Sequence, residues 1–263
     1  MDFVELDRVS LRYGGEDDGT LALNNASLGV KQGEFVAVVG PSGCGKSTIL
    51  KAIAGLWSVT AGRVTVGGDQ VKGPLNCVGM AFQNPTSLPW RTTLANVMLP
   101  LEIVEPHRSR LRRDRLQYEA RARSLLALVG LRGFEASFPW QLSGGMQQRA
   151  SICRALIHEP SLLMLDEPFG ALDMFTREEL WEALQEIWLA RRPTVILVTH
   201  DIREAVYLAD RVLVMSARPG RVIAECVVPL DRPRPMSITF EPQFGALVNE
   251  LRSQIISARS EAA

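Results

Sequence analysis

The feature that most constrains this chain is a glycine-rich segment, GPSGCGKST at 40–48. An apolar run, EFVAVV, precedes it, and a run with the apolar spacing of a helix, KSTILKAIAGL, begins within it. The segment matches the pattern G-x-x-x-x-G-K-[ST], and strand, loop and helix occur in the order that this pattern requires. A flexible glycine-serine turn would not need that order. The sequence therefore predicts a phosphate-binding loop, or P-loop, between a strand and a helix.

Each residue type of this loop suits a polyphosphate. Gly40, Gly43 and Gly45 let the backbone wrap the phosphates closely. The ammonium group of Lys46 is expected to reach the β and γ phosphates, and the hydroxyl of Ser47 is expected to hold Mg²⁺. The predicted nucleotide-binding residues of the loop are Gly40, Pro41, Ser42, Gly43, Cys44, Gly45, Lys46, Ser47 and Thr48.

The rest of the chain alternates between strand and helix patterns. The first ninety residues contain short strand-like runs and one helix, residues 93–158 have a helical pattern, and strand–helix alternation returns from 161. Apolar runs joined by helices indicate a buried, largely parallel sheet, so the helical block is interpreted as an insertion into an α/β core. Near the end, DRPRP at 231–235 is typical of a turn or linker, and an amphipathic helix is predicted near 244–256.

Composition and charge argue against several functions. The 29 basic and 29 acidic side chains cancel, which gives no general reason to expect binding to nucleic acid or acidic lipid. The basic stretch at 107–115 lacks aromatic residues for base stacking, so we expect a solvated helix face and no nucleic-acid partner. The four cysteines form no CxxC pair and are expected to be free thiols.

No segment of the sequence is typical of membrane insertion or secretion. The N-terminus carries acidic residues where a signal peptide needs positive ones. The longest apolar runs fall far short of the roughly 20 residues that span a bilayer. We therefore expect any role at a membrane to depend on a partner.

Two further strands end in polar residues. LLMLDEP at 162–168 ends in Asp166 and Glu167, and neighbouring residues on a strand point to opposite sides, so the two carboxylates should have different tasks. Asp166 is predicted to support Mg²⁺, and Glu167 to orient or deprotonate the attacking water. His200 ends TVILVTH and is predicted to contact the γ-phosphate, while Gln83 has a carboxamide suited to both metal and water.

A second glycine pair occurs in LSGGMQQRA at 142–150. A serine precedes the pair and a helical run follows, so unpaired N–H groups and the helix dipole would point at one spot. Ser143, Gly144 and Gly145 are therefore predicted to bind an anion. This second site has no lysine and no metal ligand, which makes it weak on its own.

Together these motifs resemble the nucleotide-binding subunits of ABC transporters over nearly the whole chain. LSGGMQQR resembles the family signature, Gln83 its Q-loop, GALD at 170–173 its D-loop and His200 its switch. The resemblance implies ATP and Mg²⁺ as cofactors and a dimer of two identical chains paired head to tail. Each ATP would lie between the P-loop of one chain and the signature of the other.

The resemblance also implies the domain organisation. An ABC ATP-binding domain is expected at 1–222, with a P-loop NTPase core, a mostly parallel sheet, an antiparallel β subdomain and a helical subdomain inserted at about 84–158. A short C-terminal extension, 223–263, follows. Tyr13, before the GGEDDG loop, matches the aromatic residue that stacks on adenine in this family, and a strand-end core tyrosine remains the alternative.

Other segments resemble one subgroup of the family. Met146 and Gly170 depart from the commonest family pattern, and with LPWRT at 88–92 and RPGR at 218–221 they resemble ATPases of nitrate, sulfonate, taurine and related small-anion importers. The partners implied are two transmembrane permease subunits and, indirectly, an external solute-binding protein. The implied location is peripheral, at the cytoplasmic face of the plasma membrane. Trp90 is predicted to contact the membrane partner.

Two alternative functions remain to be weighed against an importer ATPase. A soluble ABC ATPase of DNA repair or translation would have a long coiled-coil insertion or two tandem cassettes, and this chain has neither. A P-loop kinase or GTPase acting alone would not need LSGGMQQR, and the guanine-reading motif N-K-x-D is absent from the sequence. The sequence does not specify the transported solute, because that specificity resides in other proteins.

Overall fold

The computed structural model describes residues 2–14, 19–170 and 172–260, except for the side chains of 259 and 260. The acidic loop residues 15–18 and Ala171 of the GALD segment lie outside the described residues. The chain divides into two compact units. The first unit is Met1–Leu75 with Trp188–Ala263, and the second unit is Asn76–Ile187.

Strands and helices alternate along the described part of the chain, with short 3₁₀ turns at Leu99–Glu102, Pro139–Gln141 and Met236–Phe240. The strands are β1 (Val4–Tyr13), β2 (Thr20–Val30), β3 (Phe35–Val39), β4 (Ala61–Val66), β5 (Asp69–Gln70), β6 (Val78–Ala81), β7 (Leu162–Asp166), β8 (Thr194–Val198), β9 (Arg211–Met215) and β10 (Val222–Val227). The α-helices are α1 (Lys46–Ile53), α2 (Thr93–Met98), α3 (His107–Arg110), α4 (Arg115–Leu128), α5 (Gly144–Leu156), α6 (Met174–Arg191), α7 (Ile202–Leu208) and α8 (Pro242–Ser260).

The first unit contains an antiparallel sheet and a group of mostly parallel strands. The antiparallel sheet has the order β2-β1-β4-β5. In the other group β3 pairs in parallel with both β8 and β9, and β10 adds to β9 in the antiparallel direction. Every residue of β3 and β8 is buried, which explains their unbroken apolar sequences. These parallel strands position the P-loop, because it follows directly after β3.

The segment DRPRP is irregular, as predicted, but it is not a free linker. Arg234 is only 1% exposed. Its guanidinium donates hydrogen bonds of 2.8–3.2 Å to four backbone carbonyls, those of Leu230, Val206, Tyr207 and Ala209. Three of these carbonyls belong to the C-terminal end of α7, where carbonyl groups lack partners within the helix. Burial lowers the pKa of Arg234 to about 10, so the side chain stays charged at neutral pH.

The second unit is mainly helical and includes one parallel strand pair. β6 pairs with β7, with Ala81 opposite Leu165. Helix α5 packs against β6, α2 and α4. Gly79 permits this close packing, because a Cβ atom there would lie 2.1 Å from the carbonyl oxygen of Ala155. The helix whose N-terminus carries the second glycine pair is thus packed on β6, α2 and α4.

The observed elements confirm the predicted α/β fold class, with mostly parallel core strands and an antiparallel β sheet. A helical region, α2 to α5, lies between β6 and β7 in the sequence. The predicted C-terminal helix is longer than expected, since α8 covers Pro242–Ser260. All four cysteines are free, as predicted. Within the described residues, no helix combines the length and apolar character that crossing a membrane would require.

Candidate functional site

The P-loop of the first unit has a backbone that only glycine tolerates at its last turn. Gly45 precedes α1 with φ of 101°, in the left-handed region. A Cβ atom at Gly45 would lie 2.9 Å from the carbonyl oxygen of Ala22. Gly43 also has a positive φ, of 75°. The glycines predicted from the motif are therefore required by the shape of the loop.

The lysine of the loop is already held inside it. Lys46 is 6% exposed, and its ammonium group donates hydrogen bonds to the carbonyl oxygens of Gly40 (3.0 Å) and Pro41 (2.9 Å). Burial raises the pKa of the Cys44 thiol, so this neighbour is neutral at neutral pH even though the charge of Lys46 acts against the rise. The loop thus contains one positive charge and no negative one, as a phosphate site needs.

Tyr13 lies beside the P-loop. It ends β1, is half-buried, and its hydroxyl is hydrogen-bonded to the hydroxyl of Thr48. Its ring packs edge-on against Trp57, with ring centroids 4.1 Å apart. Trp57, which follows α1 by four residues, was not among the predicted site residues. Adenine stacking by Tyr13 stays a prediction, since the contacts with Thr48 and Trp57 also suit a core tyrosine.

His200 lies at the same strand edge as the P-loop. It follows β8, whose Val198 is opposite Val38 of the parallel strand β3, and the P-loop follows β3. The side chain of His200 is exposed. The next residue, Asp201, caps α7 by accepting hydrogen bonds from the N–H groups of Arg203 and Glu204. This cap fixes the backbone that presents His200.

The second unit brings Gln83 and Glu167 together. Gln83 follows β6 and Glu167 follows β7, and the two strands are parallel neighbours. The amide Nε2 of Gln83 donates to a carboxylate oxygen of Glu167 at 3.1 Å. Glu167 has φ of 46°, a left-handed conformation that is uncommon for a residue with a side chain and recurs at functional sites. Asp166, the last residue of β7, is 5% exposed.

The second glycine pair begins α5. Ser143 is the N-cap, and its hydroxyl oxygen accepts from the N–H of Met146 at 3.2 Å. Ser143 and Gly144 are exposed, and a Cβ atom at Gly144 would meet no atom within 4 Å. The first N–H groups of a helix lack intrahelical partners and carry the positive end of the dipole. The segment thus exposes the start of a capped helix, and anion binding by Ser143, Gly144 and Gly145 stays a prediction.

A buried glutamine of the same helix connects it to the Q-loop segment. Gln148 is fully buried, and its Nε2 donates to the carbonyl oxygen of Phe82 at 3.0 Å. Phe82 directly precedes Gln83, so the start of α5 and the position of Gln83 are coupled within the second unit. Gln148 was not among the predicted site residues. Its place on the buried face of an otherwise polar helical run is the signal that would have identified it.

The predicted magnesium ligands have suitable chemistry. Ser47, Gln83 and Asp166 offer hydroxyl, amide and carboxylate oxygens, the hard donors that Mg²⁺ prefers. Among the described residues, no cluster of three or more His, Cys, Asp or Glu side chains would hold a metal ion alone.

Comparisons with known proteins agree with this geometry. A protein-family model described as ABC transporter matches residues 23–170. The taurine import ATP-binding protein TauB of Pseudomonas entomophila is 40% identical over 268 aligned positions that cover 100% of both chains. The aliphatic sulfonates import ATP-binding protein SsuB of Bacillus licheniformis is 44% identical over 84% of this chain and 82% of its own.

Solved structures give the same result. A dimeric ATP-binding cassette in a post-hydrolysis state, bound to ADP and Pi, superposes with a TM-score of 0.74 at 32% sequence identity, covering 87% of this chain and 100% of its own. The fold and the P-loop thus define an ATP-binding cassette that hydrolyses ATP. The chain belongs to the ABC transporter family, which confirms the resemblance inferred from its motifs.

Proposed function

We propose that the chain powers the import of a small solute, such as a sulfonate, taurine, nitrate or a related compound. The supporting observation is the similarity to import ATP-binding proteins for taurine and aliphatic sulfonates across 82–100% of their lengths. A soluble ABC ATPase without a transport partner is the alternative, and these relatives do not favour it. The proposed domain organisation is an ATP-binding domain at 1–222, with a helical subdomain at about 84–158, and an extension at 223–263.

The residues of the first unit are proposed to bind the nucleotide. The N–H groups of the P-loop surround the phosphates, and Lys46 exchanges its bonds with loop carbonyls for bonds with phosphate oxygens. Tyr13 stacks on adenine. His200 contacts the γ-phosphate from the end of β8. When bound, Mg²⁺ neutralises phosphate charge, with Ser47, Asp166 and Gln83 as its proposed protein ligands.

Glu167 is proposed as the residue that acts on the attacking water. Its carboxylate accepts a hydrogen bond from the Gln83 amide, which orients the group that would position a water and take its proton. Because Gln83 is also joined through the chain to Phe82 and Gln148, the carboxylate is held by a connected set of groups. This arrangement supports a general-base role for Glu167.

Glu167→Gln tests this role. The amide keeps the size of the side chain and loses the base, so nucleotide binding should persist while hydrolysis falls at least about 100-fold. Nucleotide affinity and steady-state hydrolysis are measured on the purified full chain. Glu186→Gln, an exposed glutamate on α6, is the matched control and should hydrolyse normally. Turnover by Glu167→Gln near that of the control would remove Glu167 from this role.

Two chains are proposed to pair head to tail. Ser143, Gly144 and Gly145 of one chain would then complete the nucleotide site of the other. The exposure of this segment and its lack of a lysine support the pairing, because it has the form of a receptor for an anion held elsewhere. ATP would join the dimer, and hydrolysis would release it.

Trp90 is proposed to contact a transmembrane permease, which would place the chain peripherally at the cytoplasmic face of the membrane, with an external solute-binding protein acting through the permease. Trp90 is 70% exposed. Its loop is nevertheless ordered by the side chain of Asn96, which bonds to the backbone of Leu88, Arg91 and Thr92 at 2.7–3.1 Å. A rigid loop that presents an exposed tryptophan is suited to docking.

Trp90→Ala tests this contact. Because the ring is exposed, the isolated chain should keep its melting temperature and its ATPase activity, while co-purification with the permease subunits and transport should fall. Ile103→Ala removes another exposed apolar side chain of the second unit and serves as the control. A melting temperature lowered by many degrees in Trp90→Ala would indicate core packing and contradict the proposal.

A further inference from the structure

The turn at 216–221, called the strap here, lies between β9 and β10 and contains the RPGR segment. Its ends are joined by two hydrogen bonds: the N–H of Ser216 donates to the Arg221 carbonyl at 2.9 Å, and the N–H of Arg221 donates to the Ser216 hydroxyl at 3.1 Å. The nucleotide-binding and docking roles described above do not use this turn. The turn nevertheless contacts the P-loop within the first unit.

The backbone of the strap presses against the P-loop at Gly220. Its N–H donates to the carbonyl of Ala22, and its carbonyl accepts from the N–H of Asn24, which fixes the strap to β2. A Cβ atom at Gly220 would lie 1.9 Å from the carbonyl oxygen of Cys44. No side chain fits between the strap and the P-loop, so the two backbones are in direct contact.

Arg218 adds a hydrogen bond to this contact. Its Nε donates to the carbonyl oxygen of Gly43 at 3.1 Å. This carbonyl shares a peptide unit with the N–H of Cys44, which donates a hydrogen bond to the Pro41 carbonyl at 3.4 Å. A bond from a charged donor polarises a peptide unit and strengthens its N–H as a donor. The charge of Arg218 therefore acts on the peptide unit that joins Gly43 and Cys44 within the P-loop.

We propose that Arg218 is a positioning residue of the nucleotide site: its guanidinium holds the Gly43 carbonyl and so fixes the Gly43–Cys44 peptide unit of the P-loop in the conformation that receives the nucleotide phosphates. The inference rests on the proposed role of the P-loop in binding nucleotide. It assigns to the RPGR segment the task of presetting the loop before the nucleotide arrives. The conformational entropy of ordering the loop is then lost when the chain folds and not when the nucleotide binds. This raises the affinity for nucleotide.

The proposal predicts a specific effect of Arg218→Ala. Affinity for ATP and for ADP should fall by about 5- to 20-fold, since a hydrogen bond from a charged donor is lost at a partly solvated site. The KM for ATP should rise by the same factor, while kcat at saturating ATP stays within about twofold, because the carboxylate and its glutamine are untouched. Arg218→Lys keeps the charge and one donor and should recover part of the affinity.

The controls separate this role from general damage. Arg221→Ala makes the same change in net charge on the same turn, and it leaves the two backbone hydrogen bonds of Arg221 in place, so affinity should stay at the wild-type value. Lys46→Ala should abolish nucleotide binding. Affinities are measured by titration calorimetry with ADP and ATP on the full chain, alongside melting temperatures and steady-state kinetics.

The outcomes are distinguishable. Weaker binding in Arg218→Ala, with partial recovery in Arg218→Lys and an unchanged melting temperature, supports the proposal. If Lys46→Ala abolishes binding while Arg218→Ala binds like wild type, the positioning role is wrong and the P-loop role stands. A fall in kcat at unchanged KM, or equal weakening in Arg221→Ala, also overturns it. Normal binding by Lys46→Ala would overturn the P-loop role and this inference together.

Discussion

The P-loop (40–48) and the signature segment (142–150) both place glycines at the start of a helix, yet they differ in how complete they are. In the P-loop the ammonium of Lys46 is buried and hydrogen-bonded to loop carbonyls. The backbone of Ala22 leaves no room for a side chain at Gly45. In the signature segment Ser143 and Gly144 are exposed, and the serine hydroxyl caps the turn. One segment is a closed cradle, and the other is an open helix end.

This difference has an energetic consequence. A helix N-terminus favours a nearby anion by only about 0.3–1 kcal/mol at an exposed site. A dissociation constant of even 1 mM requires a binding free energy of about 4 kcal/mol. The helix N-terminus of the signature segment therefore contributes too little binding free energy to hold a nucleotide alone. The P-loop adds a lysine and converging N–H groups. The difference therefore supports the proposal that the signature segment acts on a nucleotide that another P-loop already holds.

Gly45→Ala should have the larger effect on folding. An alanine at φ of 101° is strained, which costs about 1–3 kcal/mol, and its Cβ would press on the Ala22 carbonyl. We expect a melting temperature lowered by several degrees and nucleotide affinity reduced at least about tenfold. Thermal denaturation and nucleotide titration of the full chain measure both. Wild-type values in both would show that the P-loop is not the closed cradle described above.

Gly144→Ala is the matched change in the signature segment, and its effect on folding should be small. The new Cβ meets nothing within 4 Å, and alanine is about 0.5–1 kcal/mol better than glycine inside a helix. Stability should be unchanged or raised by a few tenths of a kcal/mol, and nucleotide binding by the isolated chain should stay normal. A loss of stability as large as that of Gly45→Ala would contradict the comparison.

The parts of the site that were predictable from sequence depend on local patterns. The P-loop follows from a strand, a glycine motif and a helix within about twenty residues, and the cap at Ser143 follows from its position before a helical run. The burial of Arg234 was not predicted, because its partners are the carbonyls of Val206, Tyr207 and Ala209, 25–28 residues earlier in the chain.

Other contacts near the site also escaped prediction because they join distant segments. Gln148 reaches Phe82 across 66 residues, and Arg218 reaches Gly43 across 175. The helical pattern indicates that Gln148 faces inward, but no local pattern identifies the distant partner of Gln148 or of Arg218. For Arg234 the local signal was the pair of flanking prolines, Pro233 and Pro235. Prolines fix the backbone, and a solvated linker does not need a fixed backbone.

The central claim is that each nucleotide is held by two chains, and complementation between two damaged chains tests it most directly. Lys46→Ala spoils the P-loop, and Ser143→Arg places bulk and charge in the signature segment. Both are prepared with Glu167→Gln, so that bound ATP is not hydrolysed. A mixed dimer collects both lesions in one site and leaves the other site intact, provided that the sites are shared between chains.

The measurement is ATP retained by the dimer after rapid gel filtration, with mixed dimers identified by different affinity tags on the two chains. Each variant alone should retain none. The mixture should retain ATP at about a quarter of the sites occupied in Glu167→Gln alone, since half of randomly formed dimers are mixed and each has one intact site. If mixed dimers form and the mixture retains no ATP, the nucleotide is not shared between chains, and the signature segment is only the capped start of α5.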